Sequence, residues 1–138
     1  MTEKLKLAED EFKLKNFTRA LELYYQLEEE EDDNQLHIKQ QQGICLIELG
    51  EYEKSIAANL ELIKMADFNP IGYLNVAVAL FRQKKSIEAI SFLENTLKSE
   101  INFSDEDRKM LKQLKFELTG RIVFGEPNEQ IDEDYDED

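Results

Sequence analysis

Gly43-Ile44-Cys45-Leu46-Ile47-Glu48-Leu49-Gly50-Glu51-Tyr52-Glu53-Lys54-Ser55-Ile56 is the stretch whose reading decides the fold. Apolar residues before Gly50 and after Tyr52 both recur with the helical period, the second set continuing through Leu60 and Ile63. The segment therefore reads as helix, short turn, helix. Two other segments align with its second half, Asn16-Phe17-Thr18-Arg19-Ala20-Leu21 and Lys85-Ser86-Ile87-Glu88-Ala89-Ile90. The small residues Ala20, Ser55 and Ala89 stand 35 and 34 positions apart. A small side chain early in the second helix of each pair lets two helix backbones approach closely. An aromatic just before it, Phe17 or Tyr52, fills the gap beside the turn. A repeat of this length is one supersecondary unit that stacks on the next to bury its apolar face.

The pattern predicts six helices, at about 2–15, 17–31, 36–49, 52–66, 70–84 and 86–99. A seventh is predicted at 105–120, where Ser104 is a good N-cap and Asp105, Glu106 and Asp107 suit the positive end of the helix dipole. Met110, Leu111, Leu114 and Leu118 form its apolar stripe, and Gly120 is its expected C-cap. The expected organisation is one domain over 1–121, with repeats at about 2–34, 36–69 and 70–100 and a cap at 105–120. An acidic tail over 122–138 follows and reads as disordered.

Composition excludes several function classes. The 138 residues carry 17 Lys and Arg against 31 Asp and Glu, a formal charge of −14. Nucleic acid is a poor partner for such a chain, because phosphate binding needs clustered cations. No apolar run is long enough to cross a bilayer. Met1-Thr2-Glu3-Lys4 lacks the apolar core of a signal peptide, so a cytoplasmic protein is expected. A single cysteine, Cys45, allows no internal disulfide and no thiolate metal cage. The acidity is local: residues 126–138 hold eight acids and no Lys or Arg, leaving −14 + 8 = −6 for residues 1–125. The run Glu28–Asp33 alone equals that −6, ends a helix where the dipole disfavours it, and is expected to fray into a solvated loop.

The three segments resemble the tetratricopeptide repeat, a helix-turn-helix unit of 34 residues. In the second, Gly43 matches the family's first-helix glycine, Gly50 its turn glycine and Tyr52 its turn aromatic, while Asn69-Pro70 matches the proline that starts a following repeat. The first keeps Phe17, Ala20 and Tyr24 but has Ala8 for the glycine. The third keeps Tyr73, Ala77 and Ala89, with Ser86 for the aromatic and Lys84-Lys85 for the usual turn pair. The resemblance implies an all-α fold: a right-handed superhelical array of three helix-turn-helix pairs plus a capping helix. It also implies a concave groove lined by the first helix of each pair. Members of the family mostly hold partner segments there and are seldom enzymes.

Carried over position by position, the resemblance puts Phe12, Gln40, Gln41, Ile44, Ile47, Leu74, Asn75, Val78, Phe81 and Arg82 at the partner-binding groove, with Leu5, Glu9, His37 and Ile71 beside them. The subgroup that clamps the acidic C-termini of heat-shock chaperones uses cationic and amide side chains. The matching positions here are Leu5, Glu9, Gln41, Ile71 and Asn75, none of them cationic, so that partner class is not expected. Ile71–Phe81 is apolar nearly all round and must be covered by its own chain or by a partner.

No other motif carries chemistry. His37 has no second His or Cys at metal-ligand spacing and reads as a surface or groove-edge residue. Cys45 reads as a small core residue. The five glycines are scattered, without a phosphate loop, and Glu28–Asp33 lacks the ligand spacing of a calcium loop. No metal, cofactor or catalytic group is expected. Basic residues gather at Arg82, Lys84 and Lys85 and at Arg108, Lys109, Lys112, Lys115 and Arg121, which read either as ordinary solvated faces or as a place where the acidic tail, or the run Glu28–Asp33, folds back at low salt. The expected function is a non-enzymatic adaptor or assembly subunit holding an apolar segment of another protein. The alternative is a chaperone resembling the type III secretion chaperones of this family, which guard hydrophobic clients before export.

Overall fold

A computed structural model describes residues 2–30 and 33–123 of the chain, and every described regular element is helical. The elements are α1 (Glu3–Lys13), α2 (Phe17–Glu30), α3 (Gln35–Glu48), α4 (Tyr52–Met65), α5 (Pro70–Arg82), α6 (Ser86–Lys98) and α7 (Asp105–Val123). The chain divides into two compact units, Met1–Ala66 and Asp67–Asp138. No helix of the described residues is long and apolar enough to cross a membrane.

In the first unit α1 packs on α2, α2 on α3, and α3 on α4. Thr2 caps α1 by accepting from the Leu5 amide at 3.1 Å. The core is built from Leu5, Ala8, Ala20, Leu23, Tyr24, Leu27, Ile38 and Cys45, with Phe12, Phe17 and Leu21 packed against it. The close approach expected at Ser55 is present: its hydroxyl donates to the Gly43 carbonyl at 2.9 Å, tying α4 to α3. Asn59, 1 % exposed, lies against the same glycine.

In the second unit α5 packs on both α6 and α7, and α7 packs on α6. Asn69 caps α5 by accepting from the Ile71 amide at 2.9 Å, and Pro70 takes the first-turn position where its missing N–H costs nothing. Ser104 caps α7, accepting from the Asp107 amide at 3.1 Å. Tyr73 meets Phe103 edge-on, with ring centroids 5.3 Å apart, so the connection after α6 is drawn onto α5. Arg108 holds that connection from the other side. Its guanidinium donates to the carbonyls of Leu97 and Ile101 at 3.1 and 3.2 Å and sits 6.0 Å from the Phe103 ring.

The three turns inside the pairs are built alike. Lys15, Gly50 and Lys84 are left-handed, at φ of 65°, 79° and 69°. In each turn the amide of that residue donates three positions back, to Phe12, Ile47 or Phe81. The next amide donates five back, to Glu11, Leu46 or Leu80. This is the helix-ending pattern in which a left-handed residue satisfies two terminal carbonyls. Lys84-Lys85 therefore makes the same turn as Gly50-Glu51, at the cost that a side chain adds to a left-handed backbone.

Four expectations are corrected. Gly120 does not end α7, which continues through Val123; it has no left-handed backbone, the usual reason for a glycine stop. Ile122 and Val123 thus belong to α7 and not to the tail, and Phe124–Asp138 lies outside the described residues. Met110 stands off the stripe, 43 % exposed, while Leu111 and Leu118 are buried. Glu28–Glu30 stays helical, because neighbouring helices supply cations: Lys39 Nζ lies 2.6 Å from Glu28 and Lys4 Nζ 2.8 Å from Glu30. Glu31 and Asp32 lie outside the described residues, and Asp33 beyond them is exposed and non-helical.

Candidate functional site

The first unit carries a polar cross-brace where α1, α2 and α3 meet. Tyr24 donates its phenolic O–H to Glu9 Oε2 at 2.6 Å, and His37 Nε2 lies 2.7 Å from the same oxygen. Gln41 reaches the Tyr24 hydroxyl at 3.4 Å. Burial raises the Tyr24 pKa, and the bond to Glu9 raises it further, so the hydroxyl stays protonated as a fixed donor. Glu9 is therefore engaged by its own fold. A second polar group lies beside it. Lys39 bonds Glu28 and Glu61 at 2.6 and 3.0 Å, and Gln42, 1 % exposed, donates to Glu28 at 3.2 Å. Burial would raise the Glu28 pKa, but the bonds from Lys39 and Gln42 and the Lys39 charge hold it below the ordinary value. His37 is exposed and Cys45 fully buried, as their sequence settings predict. Among the described residues no group of three or more His, Cys, Asp or Glu could hold a metal ion.

The residues expected at the groove fall into two sets. In the first unit Phe12, Gln40 and Ile44 are half-buried, and Phe12 rests edge-on against Phe17 with centroids 5.6 Å apart. Gln41 and Ile47 are buried, at 8 % and 5 % exposure, so neither offers a face to a ligand. In the second unit Leu74, Asn75 and Val78 are half-buried and Arg82 is exposed. Phe81 is 3 % exposed and is likewise unavailable. The all-apolar helix α5 is thus largely enclosed, with α6 and α7 both packed on it. Apart from Arg82 at its end, what it leaves accessible is confined to half-buried positions such as Leu74.

Leu74 opens into a cleft of about 860 Å³ between α5 and α7, whose other apolar walls are Met110, Leu114 and Phe116. Lys109, Lys112, Gln113 and Glu117 form its polar edge. A second cleft of about 540 Å³ lies between α6 and α7, lined by Glu94, Leu97, Lys98, Lys112, Lys115, Phe116 and Thr119. Phe116 borders both, and its side chain is 75 % exposed. An aromatic so exposed is an apolar anchor that no described residue covers. The sequence reading missed Phe116, although a signal was there: it stands two positions after Leu114 and two before Leu118, off the stripe that buries α7.

The chain matches none of the models of known protein families to which it was compared. No curated protein matches it significantly either.

Proposed function

We propose that the chain is a cytoplasmic, non-enzymatic interaction protein of the tetratricopeptide type, an adaptor or assembly subunit that holds an apolar segment of another protein. The recurrence of one turn geometry at Lys15, Gly50 and Lys84, at spacings of 35 and 34 residues, supports the repeat assignment. The observation that carries the binding reading is the open α5–α7 cleft, with Leu74, Met110, Leu114 and Phe116 as its apolar walls. Its volume suits a few side chains of an extended or helical segment, and the flanking polar groups would orient it. Burying a phenylalanine the size of Phe116 contributes about 1.5–3 kcal/mol, enough to make one side chain dominate a small interface.

The test is selection of binders from a displayed library of natural protein segments, on the full chain and on its Phe116→Asp and Leu74→Ser variants. Segments with apolar anchors should be enriched by the parent and lost by both variants, while the melting temperature of Phe116→Asp stays near that of the parent. Enriched segments that bind both variants as tightly as the parent would refute the cleft as the binding site.

A further inference from the structure

The cleft between α6 and α7 differs from the rest of this acidic chain. Its rim bears Lys98, Lys112 and Lys115 against Glu94 alone, a local balance of +3 − 1 = +2 in a chain of net charge −14. Lys115 lies 3.5 Å from Glu94. Lys98 and Lys112 form no ion pair with any described residue. Its floor is Leu97 and the exposed ring of Phe116. A segment that fits must therefore present carboxylates around one or two apolar side chains.

The chain contains such a segment immediately after α7. Residues 124–138 hold eight carboxylates and no cation, with Ile131 and Tyr135 four positions apart among them. Phe116 lies seven residues before the last residue of α7, about 10 Å along the helix. Ile131 lies eight residues beyond that end, an extended reach of about 26 Å. The tether is long enough to return. Attachment to α7 gives the segment an effective concentration on the order of millimolar, so a weak contact is still populated.

We infer that residues 124–138 are the occupant of the α6–α7 cleft, with Ile131 or Tyr135 against Phe116 and Leu97, and tail carboxylates on Lys98 and Lys112. This goes beyond the proposed function and does not rest on it.

The chain has no tryptophan, so Phe116→Trp in the full-length protein provides a single indole reporter at the cleft. Quenching of that indole by acrylamide should rise about two-fold when Ile131→Ser and Tyr135→Ser are added. It should rise partly in 1 M salt, where charge attraction is screened and apolar contact is not. A second measurement uses the unaltered chain. Acetylation of Lys98 and Lys112, followed by mass spectrometry, should be several-fold slower at low salt than at high salt, relative to exposed Lys6 and Lys54. Indole quenching that is unchanged by the tail substitutions overturns the inference, and so does equal salt response of all four lysines. Either negative result leaves the α5–α7 cleft and its displayed-segment test untouched, so the two readings fail separately.

Discussion

Gly43→Ala puts the helix-to-helix contact of the first unit to a quantitative test. Gly43 lies inside α3, where alanine is favoured over glycine by about 1 kcal/mol. The structure opposes that gain. A Cβ at position 43 would sit 2.6 Å from Asn59 Nδ2 and 3.0 Å from Oδ1, well inside contact distance. The amide cannot simply swing away. It is buried, and Nδ2 donates to the Ser55 carbonyl at 2.9 Å and to the Ser55 hydroxyl at 3.2 Å. Moving it surrenders bonds worth about 1 kcal/mol each and leaves a buried amide short of partners, at about 1–3 kcal/mol. After the helical gain is subtracted, Gly43→Ala should destabilise by about 1–3 kcal/mol. Asn59→Ala alone should cost about 1–2 kcal/mol. In the Asn59→Ala background the obstruction is gone, and Gly43→Ala should change sign to a stabilisation of about 0.5–1 kcal/mol. The assay is urea unfolding followed by far-UV circular dichroism on all four members of the cycle, with an expected coupling of about 1.5–4 kcal/mol. A Gly43→Ala variant that is neutral in the parent would refute the reasoning. So would an equal loss in both backgrounds, which would place the conflict in the backbone rather than in Asn59.

Lys15→Gly should stabilise by about 0.5–1 kcal/mol in the same assay, because the left-handed strain of about 1–2 kcal/mol exceeds the extra entropy of the glycine; Lys84→Gly should follow it, and Gly50→Ala should lose about 1 kcal/mol. Lys39→Met should cost about 1–2 kcal/mol at neutral pH, since it removes charged bonds to Glu28 and Glu61. The Glu28 pKa is lowered in the fold, so its stabilisation is present above the ordinary value of 4.5 and is lost as pH falls through and below it. Stability measured against pH should accordingly flatten on that acid limb in Lys39→Met, and an unchanged acid limb would count against the pairing. Cys45 is fully buried, and burial, with the charges of Glu48 and Glu9, pushes its thiol up to about 12. At pH 8 its reaction with an aromatic disulfide should be about 10³-fold slower than that of a free thiol and should accelerate only as urea unfolds the protein; prompt reaction in the native state would contradict the packing.

The helices were legible because local signals agreed with packing. Ala20, Ser55 and Ala89 recur in phase and are fully buried, as a close helix approach requires. Asn69-Pro70 and Ser104 start α5 and α7 through cap bonds that residue type alone suggests. The errors came where tertiary partners outweigh local preference. Glu28–Glu30 reads as a helix end that should fray, but Lys4 and Lys39, 26 and 11 residues away, offset the dipole. Gly120 looks like a stop, but the three residues after it remain in α7.

The candidate site was harder to read, because family geometry assigns a face and does not say what covers it. Ile47 and Phe81 hold groove positions in the sequence pattern, yet they are buried, so apolar character at such a position records packing as readily as binding. Phe116 shows the opposite case. It sits off the buried stripe of α7, so nothing in the periodicity calls for an apolar residue there, and its ring is three-quarters exposed. Burial therefore separates the two kinds of apolar residue where pattern alone cannot. It moves the candidate contact surface from the middle of α5 to the margin where Leu74 meets α7. That margin adjoins the lysine-edged α6–α7 cleft, so an acidic segment held on one side of Phe116 would compete for the ring with an apolar segment held on the other.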